Sequence, residues 1–249
     1  MSSTSGPKIA TSGLILDLDP ASPKCYPGSG TSVYDLGGSG TASMLDSITT
    51  PPNFPTFTTT AVGSWSFGGD NDYISVDNSS RKFQWTPSGA GNNTLVFEMW
   101  VKSTDTVGYY LSKPWNSNGE YNILMTHTLF AMGTNTLNFA VSFSTLSTGN
   151  WEHIAAIATP TQFLIYRNGV LNTGPTNHGL TVNTPSNGDY NNTIPLSIMT
   201  LYPYGQGYSR VLPDFGIQGS VGLFRVYNRL LSADEVLNNY NMLKGRFGY

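Results

Sequence analysis

Charge is scarce in this sequence. Asp, Glu, Lys and Arg together make up 11% of its 249 residues, against about 25% in an average soluble domain. The net charge is −3 and no basic tract occurs, so the electrostatic footprint of a nucleic-acid binder is missing. A single cysteine, Cys25, cannot close an intrachain disulfide, and the fold therefore does not rely on an oxidising compartment. No apolar run approaches the ~18 residues of a membrane-spanning helix. Met1-Ser2-Ser3-Thr4-Ser5 leads into no apolar segment, so the chain is expected to be made in the cytoplasm and not secreted.

Gly, Ser, Thr and Asn fill the space left by charge, with 15 Pro and a 12% aromatic share. Such a mixture suits short strands joined by tight turns, and its aromatic content argues against disorder. An all-β sandwich of this length commonly remains one domain. Period-two alternation predicts strands at 14–19, 95–102, 137–143, 151–158, 162–166 and 221–227. Asn168-Gly169 supplies the positive φ angles of a type I′ turn and is the sharpest hairpin signal. One helix is expected. Ser232 and Glu235 form a capping box, Val236, Leu237, Tyr240 and Leu243 share a face, and Gly245 offers a stop. Lys244 and Arg246 would complement its dipole. The stretches 20–60 and 173–219 read as ordered loops holding short strands.

Five segments then carry a resemblance. They are Gly13-Leu14-Ile15-Leu16-Asp17-Leu18-Asp19, Ser66-Phe67-Gly68-Gly69-Asp70-Asn71-Asp72-Tyr73-Ile74 and Phe97-Glu98-Met99-Trp100-Val101-Lys102, followed by two more. The fourth is Trp151-Glu152-His153-Ile154-Ala155 with Ile165-Tyr166-Arg167-Asn168-Gly169-Val170. The fifth runs from Gly222-Leu223-Phe224-Arg225-Val226-Tyr227 into Leu231-Ser232-Ala233-Asp234-Glu235. In this order they resemble the laminin-G-like branch of the concanavalin A-like lectin/glucanase superfamily. The resemblance implies an all-β, two-sheet antiparallel jelly-roll sandwich over residues 13–249, with a short C-terminal helix and an N-terminal arm at 1–12. The ending Leu243-Lys244-Gly245-Arg246-Phe247-Gly248 resembles that of proteins of tailed phages, including phages of marine cyanobacteria.

The chemistry is weighed against that frame. Glycoside hydrolysis needs two carboxylates about 5–10 Å apart, and jelly-roll glucanases carry them as Glu-x-Asp-x-(x)-Glu on one strand. Glu98, Glu120, Glu152 and Glu235 are the only glutamates, and none stands in that pattern. No Gly-x-Ser-x-Gly elbow occurs, and Cys25 has no nearby histidine. His127, His153 and His178 could meet only through folding, and His153 reads as a structural strand residue. No enzyme is expected. Relatives often bind Ca²⁺, which needs hard oxygen ligands, and the resemblance offers Asp70 and Asp72 for it. Against this, Gly222 and Leu223 stand where relatives often carry acids, and both aspartates also read as turn residues bonded to their own backbone.

A sugar site needs an exposed aromatic platform and amide side chains. Trp115, and Tyr202, Tyr204 and Tyr208 with Gln206, present that chemistry on loops. The same aromatics suit a protein–protein interface. The leading expectation is a non-enzymatic virion structural protein, decorating a capsid or tail in multiple copies. Its loops and N-terminal arm would dock on other virion proteins, without nucleic-acid binding or membrane insertion. The alternative is an adhesin recognising host surface glycans.

Overall fold

Alternating apolar residues need a second layer to cover them, and this chain folds into two sheets that cover each other. The computed structural model describes residues 8–38, 40–46, 54–60, 62–69, 72–80, 82, 83, 85, 93–114, 121–133, 138–180, 195–200 and 216–249. In chain order the strands are β1 (Leu14–Leu18), β2 (Ser32–Tyr34), β3 (Thr41–Asp46), β4 (Thr56–Thr58), β5 (Ser64–Gly68), β6 (Asp72–Val76), β7 (Leu95–Ser103) and β8 (Tyr109–Pro114). They continue as β9 (Tyr121–Thr126), β10 (Leu129–Gly133), β11 (Asn138–Ser142), β12 (Glu152–Ala158), β13 (Gln162–Arg167), β14 (Val170–Asn177), β15 (Leu196–Ile198) and β16 (Gln218–Tyr227). A helix, α1 (Ala233–Leu243), follows.

One eight-stranded sheet runs β14-β13-β12-β7-β16-β5-β4, with β1 also paired to β16. The other runs β11-β10-β9-β8-β15-β6-β3-β2, and every pairing in both is antiparallel. This is the expected jelly-roll sandwich. Its core joins Leu16, Phe97, Met99 and Phe224 of the first sheet to Ile74, Leu111, Met125 and Phe130 of the second. Each such side chain contributes about 1.5–3 kcal/mol on burial. The loops expected at 20–60 hold β2, β3 and β4, and 173–219 takes in the end of β14 and all of β15.

The half-buried pattern expected of 95–102 and 151–158 is not what forms. β12 is buried on both faces, and so is β7 except at Lys102. The reason is a third layer outside the first sheet. Helix α1, through Val236, and the segment leading into it, through Leu231, cover Val96, Ala155, Ile157 and Tyr227. The tail after it lays Phe247 on Trp100, with ring centroids 4.2 Å apart and planes at 10°. Asn168 and Gly169 take φ values of 50° and 79°, giving the expected tight hairpin, and α1 packs so closely there that a Cβ on Gly169 would press on Leu237 and Tyr240.

Helix α1 starts on the expected capping box, with Ser232 and Glu235 bonding each other's backbone. Its inner face differs from the expectation. Val236 and Asn239 are the buried residues, whereas Leu237 stays 41% exposed. The helix ends at Leu243 and Lys244 remains right-handed, so Gly245 is not a left-handed stop; Gly248, at φ 90°, is the left-handed residue. Arg246 does not serve the dipole. It reaches back to Asp19 and the carbonyls of Val62, Gly63 and Gly222. Of the residues expected to form the arm, 8–12 lie on their own domain: Asn238 donates to Lys8 O, Asn239 accepts from Ala10 N, and Arg229 donates to Ser12 O.

Gly222 sits at a bulge in β16 beneath the Phe247 ring, which is the physical reason no acid stands there. A Gly222→Ala protein should lift the tail from Trp100. The expected result is red-shifted tryptophan emission and a loss of about 1–3 kcal/mol in urea unfolding.

Candidate functional site

The third layer is held by a buried charge. Glu98 on β7 has no solvent exposure. Register places it opposite Ala155 of β12 and Arg225 of β16. Its Oε1 accepts from His153 Nε2 at 2.9 Å, and its Oε2 accepts from Tyr227 Oη and Asn239 Nδ2, both at 3.1 Å. Arg225 adds a cation 3.9 Å away and itself donates to Asp17 at 2.9 Å. Because a carboxylate only accepts, His153 carries a proton on Nε2. Burial alone would raise the Glu98 carboxyl, but the bonds and charges of His153, Arg225 and Tyr227 outweigh it and hold it below the usual glutamate value. Asp17 goes the other way: burial outweighs Arg225 and raises it.

Beside this cluster a cleft of about 550 Å³ opens to solvent, within the ~300–1,000 Å³ range of small-molecule sites. One wall is the turn and strand start from Ser147 to Glu152; the other is the β13–β14 hairpin at Arg167 and Asn168, closed by Phe247 to Tyr249 of the tail. Antiparallel pairing of β12 with β13 brings the start of one strand beside the end of the other, so Glu152 meets Arg167. Arg167 binds both Glu152 oxygens, Nε at 2.9 Å and Nη2 on the other. Asn168 Nδ2 and Ser147 N donate to the same carboxylate. Burial would raise Glu152, and these donors, led by Arg167, lower it instead. Trp151 is half-buried and packs its edge near Phe247, at 4.9 Å. Tyr249 is 51% exposed and donates its hydroxyl to Trp151 O. The cleft therefore offers aromatic surfaces and amides around an internally neutralised ion pair.

Trp115, Tyr202, Tyr204, Gln206 and Tyr208 lie outside the described residues, as does Asp70. Asp72 opens β6 as a buried residue, and both its carboxylate oxygens accept from Gly68 N. Among the described residues there is no cluster of three His, Cys, Asp or Glu side chains suited to a metal. The three histidines stay apart. His127 bonds Tyr110 and Leu146 O, His153 bonds Glu98, and His178 bonds Thr159 O and Leu180 N. Lys113, whose ammonium burial pulls down to about 7, belongs to the other sheet, away from the cleft.

The cleft residues escaped the sequence reading as a site. Trp151-Glu152 and Arg167-Asn168 stood out only as strand motifs, although an acid and a base flanking one predicted hairpin was a usable signal. Asn150 and Tyr249 gave none.

Two antiparallel sheets face to face, with clefts built on strand ends and loops, define a jelly-roll sandwich domain. The chain belongs to the concanavalin A-like lectin/glucanases superfamily, matching that family over residues 67–237. No curated protein matches the sequence. Among solved structures it is similar to a Trypanosoma rangeli sialidase in complex with 2,3-difluorosialic acid, with TM-score 0.60 and 13% identity over 95% of this chain and 34% of that one. Domain 4 of an extracellular arabinanase from Geobacillus stearothermophilus, in complex with arabinotriose, gives TM-score 0.57 and 14% identity, covering 91% of this chain and 98% of that one. The receptor-binding domain of botulinum neurotoxin type G gives 0.59 and 14%, covering 93% and 51%. The chain thus spans about a third of the sialidase's length, and at these identities the likeness is one of fold.

The buried cluster makes a pH prediction. Glu98 is held below its usual value near 4.5 when folded, so its stabilisation is fully present above that pH and is lost as pH falls through the lower, folded value. Asp17, raised on folding, works in the opposite sense. Glu98→Gln should flatten the decline of the thermal midpoint below pH 4.5. Glu98→Ala, which strands four buried partners, should cost about 3–5 kcal/mol in urea unfolding.

Proposed function

We propose that this chain is a non-enzymatic carbohydrate-recognition domain, and that the cleft between Trp151 and Tyr249 is its site. The observation that carries the reading is a concave surface lined by an indole, a phenol and the exposed Asn150 amide. Sugar rings stack their CH faces on such aromatics, and amides serve their hydroxyls. The arabinanase domain with bound arabinotriose and the receptor-binding toxin domain share the fold and support the reading by analogy.

Catalysis fits this cleft poorly. Glycoside hydrolysis takes a pair of carboxylates, whereas Glu152 is the one acidic side chain lining the cleft among the described residues. Its two oxygens already take four donors, so it is poorly placed to serve as an acid or base. The setting proposed is a virion, which the resemblance of 243–248 to phage proteins supports, with several copies docked on other virion proteins and the clefts presented to host surface glycans.

A glycan array probed with the purified chain tests the function. The wild type should bind a restricted set of oligosaccharides, and Trp151→Ala should weaken that binding about tenfold or more with an unchanged circular dichroism spectrum. Equal binding by both proteins would remove the cleft from the function.

A further inference from the structure

The charges in the cleft are closed on each other, and this bears on which sugars it can take. Glu152 accepts from Arg167 Nε, Arg167 Nη2, Asn168 Nδ2 and Ser147 N, which fills both oxygens of its carboxylate. Arg167 also donates from Nη1 to Thr145 O, at 3.1 Å, and from Nη2 to Ser147 Oγ, at 3.0 Å, so four of its five N–H groups are used within the domain. Asn168 is committed as well: its oxygen accepts from His153 N at 2.9 Å, and its amide donates to Glu152 at 2.8 Å. Among the described residues, no lysine or histidine lines the cleft. Apart from one Nη1 hydrogen of the Glu152-paired guanidinium, the side chains left to meet a ligand are neutral. Asn150 is exposed, and neither its amide nor the Trp151 indole N–H makes a hydrogen bond among the described residues.

We infer that the cleft selects uncharged sugar rings and discriminates against carboxylated ones such as sialic or uronic acids. This rests on the reading of the cleft as a carbohydrate site. A neutral ring gains stacking on Trp151 and Tyr249 and hydroxyl bonds from Asn150. A carboxylated ring brings an anion to a surface where the one nearby cation is already spent on Glu152. Taking that anion out of water without a partner is unfavourable, and breaking the Glu152–Arg167 pair to supply one would leave Glu152 buried and uncompensated. The discrimination is set by Glu152. Removing its charge while keeping its shape frees the Arg167 guanidinium, a fork suited to a carboxylate.

The experiment measures the wild type, Asn150→Ala and Glu152→Gln on matched oligosaccharide pairs that differ only by a terminal carboxylated sugar, lactose and 3′-sialyllactose among them. The wild type should favour the neutral members by about tenfold or more. Asn150→Ala, altering an exposed side chain, should weaken that binding, and Glu152→Gln should narrow the ratio toward the acidic members. A wild type that prefers the carboxylated members, with binding still lost in Asn150→Ala, overturns the selectivity and leaves glycan recognition standing. Binding that Asn150→Ala and Trp151→Ala both leave intact, or no binding to any oligosaccharide on the array, removes the site and this inference with it. If Glu152→Gln does not fold, the wild type and Asn150→Ala still decide.

Discussion

Glu98 is a carboxylate with no access to water, and the outer face of the first sheet can close only if folding surrounds that charge with donors. An unpaired charge in such a place would cost several kcal/mol. Its partners come from three separate parts of the chain: His153 from β12, Tyr227 and the Arg225 cation from β16, and Asn239 from α1. Asn239 also holds Ala10, so the segment before β1 is tied to the same point. The cluster specifies where the helix sits more sharply than apolar contact does, because hydrogen bonds tolerate little displacement.

That constraint propagates to the cleft. His153 follows Glu152 in β12, and its backbone N–H takes the Asn168 side-chain oxygen. The strand whose one face pins the helix therefore presents Glu152 and Trp151 at its mouth. Helix α1, once seated, delivers the tail, and Arg246 secures it through Asp19 and three carbonyls. Phe247 then stacks on Trp100 and Tyr249 reaches Trp151 O. Both walls of the cleft thus depend on the contacts that neutralise Glu98.

Much of the fold was legible in the sequence for simple reasons. A strand with a period of two and a hairpin built on Asn-Gly are local events, as is a helix opened by Ser232 and Glu235. β8, β9 and β10 were not read, and β8 shows why. It buries the polar Ser112 and Lys113 and shifts register at two places, so no apolar–polar alternation marks it in the sequence. Leu237 was assigned to the inner face of α1 because it is apolar, whereas Asn239 takes the inner position because Glu98 and Ala10 need its amide.

The sequence by itself determined the class of fold, the tight β13–β14 turn and the start of the helix, since each follows from steric and hydrogen-bonding preferences of neighbouring residues. Only the tertiary structure decided that Glu98 lies inside a ring of donors, that Glu152 and Arg167 cancel each other, and that the tail completes a cleft. Those outcomes join residues as much as 227 positions apart. No local preference encodes such a meeting; it is fixed by the pairing of strands and by the cost of leaving a buried charge without a partner.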